Sequence, residues 1–508
     1  MQYVENSWIN PGTIEYRSYQ DAIVRSAVQR NTLCVIPTGL GKTSIAALVA
    51  VDRMDKYRNS KILFLAPTRP LVSQHKITFE KFLKLGLELR VVTGEDDPEI
   101  RTGLYKEADI IFSTPQTIRN DIKDGKISLA DFSLCIFDEA HRCVGSYAYT
   151  YIAKNYTRTA KNPLILALTA SPGSKKYKID DVKKNLFIES VEIKTRDDED
   201  VKPYVQSVTH EWVEVELTEG MKTIRKYLEE SKGKAMKRLI DLKILHSPYT
   251  TKSQLLKLQQ ELARKKKGYA YMAMSLIAEI IKLDHALLLL ETQSLASLKS
   301  YLDELKKDGS RAVARLLNDA SFNNAARLTN ELVDEGKEHP KIERLRSLVE
   351  ESLEKKKDSR MIIFAQYRST IRKILDTMKT VKRAAPIEFI GQAKKHGSGL
   401  SQKEQVQILN EFKMGFYNVL CASQVAEEGL DVVETDMVIF YEPVPSAIRK
   451  IQRAGRTART RAGRVLVLIT KNTRDETYYW VAHHKEKKMT KILTDMQKHN
   501  EQKSMVEF

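Results

Sequence analysis

Cysteine is scarce in this chain. There are four in 508 residues, Cys34, Cys135, Cys143 and Cys421, and no two stand at C-x-x-C spacing. That excludes the usual signatures of a zinc site and of a disulfide framework, and it fits a reducing compartment. Long apolar runs are missing too. The longest cluster, around 286–290, falls far short of the ~20 residues that a bilayer-spanning helix needs, so a soluble protein is expected. The opening stretch MQYVENSWINPG has neither a basic start nor an apolar core and does not read as a signal peptide. Acidic residues are the third shortage: 66 Asp and Glu face 84 Lys and Arg, leaving a net charge of +18. Such an excess favours a polyanionic partner, nucleic acid first and an anionic membrane surface second. Apolar material is ample at 42% of residues, and the length suits about three domains on a scale of ~150 residues each.

The patterning divides the chain accordingly. Over 17–193, short apolar runs (TLCVI, KILFLAP, ADIIFSTP, LCIFDEA, LILALTAS) each end at a turn residue and alternate with helical stretches. That rhythm predicts βαβ units on a parallel sheet. A second such block over 356–471 carries MIIFAQ, YNVLCAS, DMVIFY and RVLVLIT. Between them the chain is rich in Leu, Lys and Glu with helical spacing and almost no strand signal, broken near Pro248 and Gly309 and resuming at Pro340. The expected division is a first α/β domain over 1–205, a helical insertion over 206–345, and a second α/β domain over 346–508 ending in a polar helical tail. The basic run RKKK at 264–267 suits a nucleic-acid backbone or a solvated helix face.

The chemistry begins at CVIPTGLGKTSIAAL, residues 34–48. A buried strand runs into a tight turn of Pro37, Thr38, Gly39, Leu40 and Gly41, then into a helix opening with Lys42 and Thr43. Glycines there let backbone N–H groups converge on an anion at a helix N-terminus. The Lys42 ammonium then suits the β- and γ-phosphates of ATP, and the Thr43 hydroxyl suits Mg²⁺. The loop is a short form, because Ile36 stands where the full pattern has glycine. SLCIFDEAH ends another buried strand with Asp138, Glu139 and His141, at the edge where α/β sheets bind ligands. Asp138 is suited to Mg²⁺, with Glu139 beside it to take a proton from the attacking water. Thr169 and Ser171, in LALTAS, are small hydroxyls that suit a relay from this site to another surface. In IQRAGRTARTR, residues Gln452, Arg453, Arg456 and Arg459 recur at helical spacing. A face so rich in guanidinium calls for an anion, either the γ-phosphate as arginine fingers or a nucleic-acid backbone.

In order, PTGLGKT, APTRPLVSQH, STPQT, DEAH, TAS, FAQYRS, EEGLD and QRAGRTAR resemble the motifs of superfamily 2 helicases, over nearly all of 17–464. RSYQ at 17–20, the helical insertion and the NVLCASQVAEEGLDV stretch look like the archaeal Hef and Fanconi anaemia group M branch. The RIG-I-like receptors and the Dicer helicase module are more distant cousins. The resemblance implies two RecA-like domains with ATP and Mg²⁺ in the cleft between them. It implies Gln20 and Arg17 at adenine, Thr38 to Thr43 at the phosphates, Asp138 and Glu139 at the metal and water, and Gln452, Arg456 and Arg459 at the γ-phosphate. Arg69, Thr114, Gln366, Tyr367, Arg368 and Ser423 are implied near nucleic acid, Gly429 and Asp431 in coupling, and the helical insertion as a clamp. Ala426 and Ala458 depart from the glycines common in relatives. The ERK-x-x-x-D nuclease signature frequent in Hef proteins does not occur, so strand cleavage is not expected.

The implied activity is an ATP-driven DNA motor on forked or branched DNA in fork repair and recombination, placed in the cytoplasm or on the nucleoid. A separate nuclease or sliding clamp as protein partner is left open. A duplex-RNA-dependent ATPase of RIG-I or Dicer type is the alternative enzyme. A nucleotide-gated scaffold that does not translocate is the alternative from another class.

Overall fold

The computed structural model describes residues 2–171, 173, 176–205, 208–265, 268–391, 399–423, 435–443 and 463–506. Seven parallel strands form the first sheet: β1 (Thr32–Val35), β2 (Lys61–Leu65), β3 (Leu89–Val92), β4 (Ile110–Ser113), β5 (Phe132–Phe137), β6 (Ile165–Thr169) and β7 (Ser190–Ile193), in the order β3-β4-β2-β5-β6-β1-β7. Six more form the second: β8 (Val208–Val215), β9 (Met361–Phe364), β10 (Pro386–Phe389), β11 (Val419–Ala422), β12 (Met437–Phe440) and β13 (Gly463–Thr470), in the order β10-β11-β9-β12-β13-β8. Every pairing between these strands is parallel. Central strands such as β5 and β9 are buried at every position. Helices cover both faces of a parallel sheet, so such a strand needs an unbroken apolar run. Each sheet accordingly has two apolar layers, one per face.

The helical insertion packs around the 25-residue helix Gly268–Thr292. Leucines and alanines lie all round it because helices Glu219–Asp241, Lys252–Lys265, Leu295–Lys306 and Arg311–Leu317 enclose it. Thr218, Ser294 and Ser310 cap three of the helices with side-chain oxygens. Among the described residues no helix is long and apolar enough to cross a membrane.

Two details depart from the expected division. Val208–Val215, expected in the helical insertion, is strand β8 and pairs along its whole length with β13. Its exposed charged residues hid it, since it is an edge strand that does not need an apolar run. The expected boundary at 345 cuts the helix Pro340–Lys355, whose Ile342, Leu345, Leu348 and Val349 belong to a core layer of the second sheet. The tail forms one helix, Arg474–Val506. It starts against the insertion, where Arg474 pairs with Asp284 at 2.8 Å, and it sends Met489 into the core of the first α/β domain.

Candidate functional site

The turn after β1 is shaped by two glycines in the left-handed region, Gly39 (φ 88°) and Gly41 (φ 80°). Side chains are strained in that conformation, and a Cβ at Gly41 would also run into Gln20. Gln20 fastens the turn from behind. Its Nε2 donates to the Leu40 carbonyl at 3.0 Å, and the Tyr19 hydroxyl donates to the same oxygen at 2.9 Å. The Gln20 amide nitrogen, expected at adenine, is thus engaged by the loop itself. Arg17 pairs with Glu15 at 2.8 Å and lies over the Tyr204 ring. Thr38 sits within the turn, and Leu40 anchors it in the core. The helix Lys42–Lys56 begins at Gly41 with no side-chain cap, so its first N–H groups remain for a ligand.

Lys42 follows at once. Its Nζ is buried and hydrogen-bonds to no group among the described residues. Nearby, β5 delivers Asp138, whose N–H donates to the Leu65 carbonyl and whose carbonyl accepts from the Tyr149 hydroxyl at 2.6 Å. Its carboxylate lies 3.1 Å from His75 Nε2, and His75 Nδ1 lies 3.3 Å from the Thr43 hydroxyl. The next residue, Glu139, holds a left-handed backbone at φ 49° without being glycine. Strain of this kind, worth about 1–3 kcal/mol, persists where surrounding structure enforces it, often at functional sites. Burial works against the Glu139 charge. The Lys42 ammonium above all, with His141 and Arg142, outweighs that and holds its carboxyl down at about 2.

From Glu139 a polar chain crosses the domain. His141 Nδ1 lies 3.2 Å from the Glu139 carboxylate and 3.2 Å from the Thr169 hydroxyl. The Ser171 N–H donates to the Thr169 hydroxyl at 3.1 Å, and the Ser171 hydroxyl donates to Met489 Sδ at 2.9 Å. His141, Thr169 and Ser171 are therefore contiguous and end on the tail helix.

Arg69 and Thr114 lie apart from this cluster. Together with Gly94, Gln116 and Thr117 they line a cleft of about 310 Å³, and a larger one of about 580 Å³ continues past Gln116 and Arg119 to His141 and Arg142. Arg69 pairs with Glu95. In the second domain, Gln366 is exposed after β9, Arg368 donates to the Gly391 carbonyl at 3.1 Å, and Ser423 follows β11, the strand paired with β9. Tyr367 instead packs on the helical insertion, with its ring 6.0 Å from that of His285. Gln452, Arg453, Arg456, Arg459, Gly429, Asp431, Ala426 and Ala458 lie outside the described residues.

His75 is the member of the cluster that motif spacing did not single out. Its signal was a lone histidine on the buried face of helix Arg69–Phe82, between Val72 and Phe79. Among the described residues no three metal-ligating side chains of the His, Cys, Asp and Glu type gather in one place. The arrangement can receive an anion at a helix N-terminus beside a buried ammonium that has no hydrogen bond among the described residues, with an ionised carboxylate adjacent to it.

The DEAD/DEAH box helicase family matches residues 17–179, and the helicase conserved C-terminal domain matches 340–461. A helical-bundle family described for an ATP-dependent RNA helicase matches 220–334. The crystal structure of the Pyrococcus furiosus Hef helicase domain superposes with a TM-score of 0.71 at 44% identity, covering 91% of this chain and 97% of that one. MJ1505 of Methanocaldococcus jannaschii, provisionally named an ATP-dependent RNA helicase, is 40% identical over 97% of this chain and 63% of its own length. The ATP-dependent DNA helicase MPH1 of Pyricularia oryzae is 32% identical over 97% of this chain and 47% of its own length. The chain thus spans roughly half to two thirds of these two relatives.

Proposed function

The chain belongs to the superfamily 2 helicases of the Hef and Fanconi anaemia group M type, ATP-hydrolysing enzymes, and from that premise we propose that it is a DNA motor acting on forked or branched DNA. The observation that carries the reading is the buried Lys42 ammonium, without a hydrogen bond, facing the ionised Glu139 at the mouth of a glycine turn. A buried ammonium whose N–H groups have no acceptor is costly unless a ligand completes it. A triphosphate does so, held by Lys42 and the N–H groups of the helix start, and the loop from Thr38 to Thr43 fits one. Thr43 and Asp138 would hold Mg²⁺, whose part when bound is to neutralise phosphate charge. Glu139 orients the attacking water and takes its proton. By the family resemblance we assign Gln452, Arg456 and Arg459 to the γ-phosphate, and Gly429 and Asp431 to coupling the two sites. Hydrolysis is passed through His141, Thr169 and Ser171 towards the tail helix. Arg69, Thr114, Gln366, Arg368 and Ser423 grip the backbone, Tyr367 acting from the insertion side.

Backbone grip reads neither base nor sugar directly, so the choice of DNA leans on relatives bearing DNA-helicase names. A duplex-RNA motor is the second reading, favoured by the provisional name of MJ1505 and by the description of the helical-bundle family. Steady-state ATP hydrolysis separates the two, measured without nucleic acid and with single-stranded DNA, linear duplex, a synthetic fork and duplex RNA, with Glu139→Gln as blank. Strongest stimulation by the fork supports the proposal. Stimulation by duplex RNA alone replaces it with the second reading, and no stimulation by any of them leaves a scaffold.

A further inference from the structure

We propose that His75 is a positioning residue that orients both proposed cation ligands, Thr43 and Asp138, and so sets how tightly the site holds Mg²⁺. The inference rests on the reading of those two residues as cation ligands. His75 is 7% exposed and touches one of them with each ring nitrogen. A carboxylate can only accept, so the contact with Asp138 requires the proton on Nε2. In the neutral ring Nδ1 is then an acceptor, and the group offered to it is the Thr43 hydroxyl hydrogen. Both consequences favour a cation. The Thr43 O–H bond is turned towards His75, which leaves the lone pairs of its oxygen facing outward. Asp138 commits Oδ2 to His75 and keeps Oδ1 for the metal or its water. Without the ring, the Thr43 hydroxyl is free to rotate and to present its hydrogen where the cation belongs. Outer partners of this type typically change metal affinity by about 10- to 100-fold.

The competing account is a core histidine that only fills space. Its ring does pack on Phe64, with centroids 4.4 Å apart. His75→Phe separates the two accounts, because phenylalanine keeps that packing and loses both hydrogen bonds. Binding of a fluorescent ATP analogue to the full chain is measured first in chelator and then across a Mg²⁺ series. The expected result for His75→Phe is an unchanged affinity in chelator and about a tenfold rise in the Mg²⁺ concentration that gives half-maximal tightening. His75→Asn, with one donor and one acceptor, recovers part of the loss, and it decides the matter if the phenylalanine variant fails to fold. In a Thr43→Val background the effect of His75→Phe shrinks, because the two side chains act as a unit. A His75→Phe or His75→Asn chain with wild-type Mg²⁺ dependence overturns the proposal. A wild-type chain whose nucleotide affinity ignores Mg²⁺ overturns the cation reading of Thr43 and Asp138 first, and this inference with it.

Discussion

Two buried lysines, one in each α/β domain, are treated in opposite ways. Lys341, fully buried where the insertion meets the second sheet, pairs with Asp475, lies within 3.4 Å of the Thr292 carbonyl and stands over the Tyr441 ring. The same junction is cross-linked by Thr370 donating to Gln293 at 2.9 Å and by Arg474 on Asp284. Lys42, buried at its Nζ in the first domain, has no hydrogen-bond partner among the described residues. Its neighbour Glu139 is ionised and held in a strained backbone. The contacts that meet the Lys341 ammonium help lock the second sheet to the insertion. The Lys42 ammonium has no such contacts, and the proposed triphosphate would supply them. Burial and charge are alike in both places, and what separates structure from chemistry is whether the ammonium already has its partners.

The sharpest way to break this contrast is to remove the incomplete side. Glu139→Gln should cut kcat for ATP hydrolysis by about 10²- to 10⁴-fold, the usual span for a lost general base. Lys42→Ala should be comparably impaired, with a smaller loss of stability than at a fully buried ion pair, since Glu139 loses its main counter-charge but keeps His141 and Arg142. A Lys42→Ala chain that hydrolyses ATP at the wild-type rate would end the assignment. Removing the completed side should invert the pattern. Lys341→Ala strands Asp475 as an uncompensated buried charge, at a cost of about 3–5 kcal/mol. Denaturant unfolding measures that loss, and replacing both partners with apolar residues of similar volume should return most of it. If Lys341→Ala proves no less stable than Lys42→Ala, the two lysines do not differ as described.

Acid sharpens the comparison further. The Glu139 carboxyl, ordinarily near 4.5, is held at about 2 against the effect of burial by Lys42, His141 and Arg142. A group depressed on folding contributes stability that is fully present above its unfolded value and is lost as pH falls through the folded one. The stability difference between wild type and Glu139→Gln should therefore be level from neutral pH down to about 5 and drift in favour of the variant as pH falls from about 4.5 towards 2. A difference that stays level across that acid range would mean that Lys42 does not hold the charge.

Sequence made some of this plain and hid the rest for a physical reason. The strands expected from apolar runs are β1, β2, β4, β5, β6, β9, β11, β12 and β13, all interior to their sheets. The four that no run announced, β3, β7, β8 and β10, are the four sheet edges. An interior parallel strand is covered on both faces and must be apolar throughout, whereas an edge strand can carry Arg90, Glu192, Glu211 or Glu388. In the site, Lys42, Thr43, Asp138 and Glu139 were legible because each follows a buried strand at a fixed turn. His75 was not, because it comes from a helix face and reaches the cluster only through the fold. The hold of Met489 on Ser171 bridges 318 positions of sequence and has no local signal at all.

That last contact frames the smallest effect. The tail helix begins at Arg474 on the helical insertion, and by Met489 it is packed into the first domain. The chain of contacts from Glu139 through His141 and Thr169 ends on it at Ser171. Ser171→Ala removes one hydroxyl from a contact with a weak sulfur acceptor, so stability should fall by no more than about 1 kcal/mol. Hydrolysis without nucleic acid should stay close to wild type, because neither Lys42 nor Glu139 loses a neighbour. If the proposed relay holds, what should fall is the additional rate that nucleic acid brings. Measured side by side, the two rates of Ser171→Ala give a selective loss if the relay runs through this hydroxyl. An equal loss in both would make Ser171 part of the hydrolytic site itself, and no loss in either would leave the tail helix as a brace that holds the first domain without reporting on its chemistry.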